Sequence, residues 1–375
     1  MQTVEAAGLP IGDDHPPRVM GVLNVSQESP YDPSVFDDSG EAARYVDREL
    51  VDEGADIVDV GLESANKRFD VLTAAEELDR LDTAVETLES VSGDAVFSIE
   101  TRYHEVAAEA LARGFNMVND ICGFADPEMP RVCEEHDAAV VKMAGPQDLE
   151  RPGAVEAVDD IYEALLHNGV TDKTIVDPAF GGWSEDKTLA DDRETFRRLR
   201  EFRAIGRPTL VSINRKNFLR DLAGRTTDAA LPVSLAATSM AVERGAHVIR
   251  THDVAKTRDA ALVGDAFARD RLRDPGAGVE ELDVTTAGEA RRYLTGDRAD
   301  RDAARAVSRL VAVDVPSAAA RDRLLEAVGG TGLVAAPVDR RVVLGGPLAD
   351  LRRLADRVSD PDRLVRALDR LRDLR

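Results

Sequence analysis

The chain has 375 residues, more than the roughly 250 of a single β/α barrel, which leaves room for one barrel and a smaller second domain. Its formal net charge of −23, with only six lysines among the cations, argues against nucleic acid or an anionic membrane as partner and is similar to the charge-dense surfaces of salt-adapted proteins. Two cysteines, Cys122 and Cys133, exclude a disulfide framework and a cysteine-based zinc site, and the start of the chain has neither a basic nor an apolar leader stretch, so a soluble, cytoplasmic protein is expected.

In chain order, residues 1–17 read as an N-terminal tail, and short β-like runs then alternate with longer helical patterns. The strand runs are Val19–Asn24, Ile57–Gly61, Val96–Glu100, Met117–Asn119, Ala139–Lys142, Thr174–Asp177, Thr209–Ser212 and Val248–Arg250. Between them Glu41–Glu53, Ala74–Val91, Glu105–Arg113, Glu156–His167, Thr195–Ile205, Val233–Arg244 and Val254–Arg271 carry Ala, Leu, Glu and Arg at helical spacing. Eight βα units over residues 18–273 predict an α/β fold, a closed (β/α)8 TIM barrel. No strand is followed by a dinucleotide or Walker type of glycine-rich loop.

Asp274-Pro275-Gly276-Ala277-Gly278 reads as a linker, and residues 279–375 as a small α/β domain. Its strands are expected at Leu310–Val313, Gly332–Ala336 and Arg341–Leu344, with Asp339-Arg340 as the turn between the last two. Helices are expected at Ala318–Ala327, Leu348–Val358 and Pro361–Leu374. The domain shows no catalytic constellation, and an oligomeric or regulatory role is the default reading.

The chemistry therefore falls to the strand ends, where barrel enzymes carry it. Asn24 closes the first strand run, Glu100 the third, Asn119 and Asp120 the fourth, Lys142 the fifth and Asp177 the sixth. Lys216 follows the seventh, and Arg250 with His252 closes the eighth. Any one of these suits a helix cap or a solvated end. Together they form a ring whose Asp, Glu and Asn groups suit a planar amide-like heterocycle, and whose Arg and His beside an Asn amide suit a phosphate, with or without Mg²⁺.

Met20-Gly21-Val22-Leu23-Asn24-Val25-Ser26, Gly54-Ala55-Asp56-Ile57-Val58-Asp59-Val60-Gly61-Leu62-Glu63-Ser64, Ser98-Ile99-Glu100-Thr101, Asn119-Asp120-Ile121-Cys122-Gly123, Ile175-Val176-Asp177-Pro178, Asn214-Arg215-Lys216-Asn217-Phe218 and Arg250-Thr251-His252-Asp253-Val254 resemble, in order, the motifs of the dihydropteroate synthase family. The resemblance spans about Arg18 to Arg271. It implies a transferase that joins a pterin, activated as its hydroxymethyl diphosphate, to an aromatic amine such as p-aminobenzoate, with release of pyrophosphate. It places Lys216, Asp177, Asn119 and Glu100, the last in the family's Asp position, on the pterin. It places Asn24, Arg250 and His252 on the diphosphate, Asn24 also through Mg²⁺. Lys216, Arg250 and His252 are then the catalytic set, and a homodimer is the expected assembly. The family's Thr-Arg-Pro is replaced by Ala65-Asn66-Lys67-Arg68, its Ser before Arg-Lys by Asn214, and a His by Lys142. The loops Ser26–Asp32 and Ala179–Ser184 also depart from its pattern, which implies an altered amine pocket. The alternatives are a non-catalytic pterin-binding scaffold and a pterin-dependent methyltransferase; the methyltransferase has no diphosphate to bind, and Arg250 and His252 count against it.

Overall fold

The structure is a computed structural model that describes residues 1–25, 34–63, 71–150, 153–181, 186–274, 276–358 and 368–374. The departures at Ser26–Asp32 and Ala65–Arg68 lie outside the described residues. The chain divides into two compact units, Met1–Asp270 and Arg271–Arg375.

In the first unit, β1 (Val4–Ala6) and β2 (Leu9–Ile11) form an antiparallel hairpin. Eight parallel strands follow: β3 (Arg18–Asn24), β4 (Ile57–Gly61), β5 (Val96–Thr101), β6 (Met117–Asp120), β7 (Ala139–Met143), β8 (Thr174–Asp177), β9 (Leu210–Val211) and β10 (Val248–Thr251). They lie in the order β8-β7-β6-β5-β4-β3-β10-β9. A bridge from Val176 to Thr209 joins the two ends and closes the barrel. All eight expected strand runs are present, and most of the helices between them begin or end within a few residues of the sequence pattern. Thr73 caps Ala74–Ser90 and Thr188 caps Leu189–Arg197, each through a reciprocal bond with the acid three residues on.

Residues 1–17 are not a tail. Val4, Ala6 and Ile11 are wholly buried and pack against Met20, Ile57, Val96, Met117, Ala139, Ile175, Leu210 and Val248, the lowest inward-facing residues of the barrel. A barrel of short strands has an apolar floor open at its N-terminal end, and burying a Val or Ile there contributes about 1.5–3 kcal/mol. The hairpin is short and reads as loop in the sequence because only tertiary burial stabilises it.

A buried charge cluster pins the segment that follows. Asp13 accepts from Arg203 Nη2 through both oxygens at 2.8 Å and from His247 Nε2 at 3.0 Å, while His247 Nδ1 accepts the Thr209 N–H at 3.0 Å. Burial raises the Asp13 carboxyl, yet the His247 bond and the Arg203 charge outweigh it and hold its pKa well below the carboxylate range.

The second unit has a three-stranded antiparallel sheet, β13 (Ser308–Asp314), β15 (Arg341–Pro347) and β14 (Val334–Val338), in the order β13-β15-β14. Helices Ala318–Val328 and Leu348–Arg357 supply Leu324, Leu351 and Leu354 to a core with Val313, Val342 and Leu344. Asp339, at φ 52°, makes the two-residue turn between the paired Val338 and Arg341. Asp274, at the start of the expected linker, instead pairs with Val279 in a small ribbon of β11 (Arg273–Asp274) and β12 (Val279–Glu280) and accepts the Ala277 N–H; Pro275 lies outside the described residues. The first part of the expected helix Pro361–Leu374 lies outside the described residues, and Arg370–Asp373 forms a 3-10 turn. Among the described residues no helix is long and apolar enough to cross a membrane.

Asp13→Ala leaves the Arg203 guanidinium buried without its carboxylate, which typically costs about 3–5 kcal/mol. Urea denaturation at neutral pH is expected to show that loss. Because the folded pKa is depressed, the contribution is present above the unfolded carboxylate value and shrinks as pH falls below about 4, so the native and variant curves should converge in acid.

Candidate active site

Strand parity decides which polar residues meet. Side chains two apart on a strand share a face, and the inward set is marked by the floor residues Met20, Ile57, Val96, Met117, Ala139, Ile175 and Val248. An even number of steps from these floor residues lie Asn24, Asp59, Glu100, Asn119, Asp177, Arg250 and His252, all near the C-terminal mouth. Asp120 and Lys142, also expected in the ring, are one residue out of phase and turn toward the helices. Asp120 accepts the Cys122 and Phe124 N–H groups at 2.7 Å each. Lys142 is wholly buried, donates to the carbonyls of His167 and Gly169 beyond the helix Val158–Leu166, and lies 4.8 Å over the Phe124 ring. Burial lowers its ammonium to about 8. Lys142 is thus a structural cation that satisfies a helix end.

Four inward groups interlock at the centre. Arg250 donates from Nε to Asp59 Oδ2 at 2.7 Å and from Nη2 to Glu100 Oε2 at 2.6 Å. Asn119 Nδ2 donates to Asp59 Oδ2 at 3.0 Å and to Glu100 Oε2 at 3.4 Å. Burial pushes the Glu100 carboxyl up to about 7 against the pull of Arg250, with Asp59 and Glu63 adding to the rise. Burial works against the Arg250 charge, but Glu100 and Asp59 hold its pKa above the ordinary guanidinium value. Asp59, wholly buried in the middle of β4, belongs to a motif but was given no role from the sequence; an acid inside an apolar strand run was the available signal.

Asp177 accepts the Ala179 N–H at 2.8 Å, and burial raises its carboxyl to about 6 in spite of that bond and of the nearby Lys216. Lys216 stands at the start of the helix Asn217–Ala223, its ammonium pKa lowered by burial and by the like charge of Arg250. Gly181, at φ +108°, lets the loop after β8 come close, since a Cβ there would lie 3.0 Å from Lys216 Nζ. Behind it, sequence reasoning missed Lys187. Its Nζ donates to the Ala179 carbonyl at 2.7 Å and pairs with Asp192 at 3.4 Å, while Asp192 accepts the Gly181 N–H. This buried pair holds both ends of the segment that faces Lys216.

On the opposite side Asn24 Nδ2 donates to Ser34 Oγ at 2.9 Å, and Ser34 Oγ lies 3.4 Å from His252 Nδ1. Ser34 accepts from the amide, so its own proton can go to Nδ1, which leaves the imidazole proton on Nε2. Burial, with Arg250 adding, lowers His252 to about 3, so it is a neutral donor at pH 7. Asn214 Nδ2 donates to Asp253 Oδ2 at 3.0 Å, and Arg215 grips the same carboxylate at 2.9 Å through Nε and Nη2. Asn214, expected to face a second substrate, is thus committed to a clamp between the ends of β9 and β10.

A family model described as "Pterin binding enzyme" matches residues 20–252. The chain belongs to this family. Its relatives include a probable bifunctional folylpolyglutamate synthase/dihydropteroate synthase of Halobacterium salinarum, 34% identical over 260 residues that cover 66% of this chain and 31% of that one. The dihydropteroate synthase of Bacillus subtilis is 29% identical over 66% of this chain and 88% of its own. The chain spans 31 and 32% of the two haloarchaeal relatives it matches. Among solved structures, the dihydropteroate synthase of Thermus thermophilus in complex with 4-aminobenzoate is 31% identical, covers 71% of this chain and 100% of its own, and has a TM-score of 0.58. That of Coxiella burnetii in complex with pteroic acid is 29% identical over 70% of this chain and 98% of its own, with a TM-score of 0.59.

The raised carboxyls predict two opposite pH trends. Ionised Glu100 and Asp177 are stronger N–H acceptors than neutral ones, so affinity for any ligand that donates to both, with a hydroxymethyl pterin as the fluorescent probe, is expected to fall as pH drops from about 8 to about 6. Their folded pKa values of about 7 and about 6 lie above the unfolded ones, so their contribution to stability is full below about pH 4 and is lost as pH rises through those values. Affinity that does not change over this range would show that neither carboxylate meets the ring.

Proposed function

We propose that the chain is a dihydropteroate synthase, a transferase that condenses 6-hydroxymethyl-dihydropterin diphosphate with p-aminobenzoate or a modified form of it and releases pyrophosphate. The observation that carries this reading is the gathering of buried acceptors, amides and cations at one end of the barrel, with Arg250 bonded to Glu100 at its centre. Glu100 and Asp177 supply acceptors, Asn119 an amide and Lys216 an ammonium, while Arg250, bonded to Glu100, supplies a cation beside the neutral His252 N–H and the Asn24 amide. A pterin has guanidine-like N–H groups beside a ring carbonyl, and its diphosphate is an anion, so one substrate suits both the acceptors and the cations.

In the reaction the amine nitrogen forms a bond to the pterin methylene carbon as the carbon–oxygen bond to the diphosphate breaks and pyrophosphate leaves with the electron pair. The nitrogen then loses a proton. Arg250 and the His252 N–H hold the departing charge, and Lys216 with the carboxylates fixes the ring, so catalysis rests on position and on charge already in place. A weakly basic aromatic amine is neutral at pH 7 and requires no strong general base. Mg²⁺ fits this donor set: a hard cation takes oxygen ligands, and with Asn24 Nδ2 directed at Ser34, Oδ1 is the ligand the chain offers, beside the substrate's own phosphate oxygens. When bound, the ion neutralises charge on the leaving pyrophosphate.

A homodimer is supported by the apolar face of the helices Leu231–Glu243 and Val254–Ala266, where Met240 is 45%, Val263 51% and Phe267, next in the chain, 81% exposed. Large exposed apolar surface on paired helices marks an interface. The acid-rich composition and the haloarchaeal relatives support a salt-adapted surface in a cytoplasmic enzyme.

Pyrophosphate release is expected with the pterin diphosphate and p-aminobenzoate, stimulated by Mg²⁺, across a panel of ring-substituted amines. Lys216→Ala should weaken pterin binding by about tenfold or more, the loss of a charged hydrogen bond. Pterin binding without pyrophosphate release from any amine would instead support a scaffold. Phe267→Asp is expected to convert a dimer to a monomer in light scattering, and a native monomer would overturn the interface.

A further inference from the structure

We propose that Asp59 is the positioning residue of the site: it aims Arg250 at the diphosphate and Asn119 at the pterin ring while touching neither substrate part itself. The proposal rests on the diphosphate reading of Arg250. Asp59 sits one layer below the mouth on β4, paired in register with Val22 on one side and Ser98 on the other. Its side chain is wholly buried. Oδ2 alone accepts both Arg250 Nε at 2.7 Å and Asn119 Nδ2 at 3.0 Å, and Oδ1 is buried with no hydrogen-bond partner among the described residues.

A buried carboxylate oxygen with no partner is costly, and a packing role alone does not account for it. An apolar residue would fill a β4 core position without that cost. The geometry gives the carboxylate a different task. A guanidinium bound through Nε and Nη2 to two acids cannot rotate about its terminal bonds, and its third nitrogen, Nη1, is thereby held in a single direction. Glu100 supplies only the Nη2 contact, at 2.6 Å, and one contact leaves a guanidinium free to swing. The Nε contact to Asp59 removes that freedom, and the same oxygen fixes which face of the Asn119 amide is turned to the ring. The ordering is done before substrate arrives, which lowers the entropy lost on binding.

Asp59→Asn keeps the volume and removes the charge, and its amide cannot accept both bonds at one oxygen as strongly. The variant, shown to be folded by circular dichroism, is expected to bind inorganic pyrophosphate about tenfold or more weakly than the native chain in calorimetry. In turnover it should lose kcat as well as raise KM for the pterin diphosphate, since Arg250 acts on the departing charge. A folded variant with native pyrophosphate affinity overturns the role of Asp59, whereas a native chain that binds no pyrophosphate overturns the diphosphate reading. If Asp59→Asn does not fold, the native chain decides: its Arg250 Nε–H should give a resolved, slowly exchanging ¹⁵N resonance, and rapid exchange there overturns the proposal.

Discussion

A guanidinium between two carboxylates in the middle of the barrel is the interaction on which the rest of the site depends. Removing three charges from water costs several kcal/mol for each, and a core of Val and Ile in their place would be at least as stable. What the triad supplies is geometry. Asp59 comes from β4, Glu100 from β5 and Arg250 from β10, with Asn119 from β6 joining the same oxygens. Four of the eight strands are tied together through side chains at one level, over a floor that is wholly apolar.

The same burial shifts Glu100 of the triad and three groups near it. Glu100 and Asp177 are pushed up, Lys216 and His252 are pushed down, and in each case desolvation is the largest cause. Where burial disfavours the charged form of a group, an incoming ligand of matching charge gains more from it than from the same group in water.

The two ends of the barrel divide the work. At the N-terminal end the hairpin fills the floor, and Asp13, Arg203 and His247 lock it with bonds of 2.8 to 3.0 Å. At the C-terminal end several polar residues of the loops hold one another. Arg215 and Asn214 grip Asp253, and Lys187 with Asp192 braces the loop from Ala179 to Gly181. Substitutions in such braces can preserve a site as readily as change what it binds, which is how Asn214 in place of a serine is accommodated.

Strand order, the eight βα units and nearly all of the inward ring were legible in the sequence, because a parallel strand buried on both faces must be a short apolar run and its polar end is conspicuous. Asn24, Glu100, Asn119, Asp177, Arg250 and His252 all stood at such ends. Phase was not legible at the ends themselves, where Asn119 and Asp120 are neighbours and only one can face inward, and where Lys142 ends a run while pointing away from the site. The partners were hidden as well: Asp59 lies mid-strand, Ser34 and Lys187 lie in loops, and Arg203 meets Asp13 across 190 positions of sequence. Local pattern determined which segments are strands and which ends are polar, since both follow from burial of the backbone nearby. Only the closed barrel decided which of those polar groups touch, because side-chain direction depends on register and on charges brought together from distant parts of the chain.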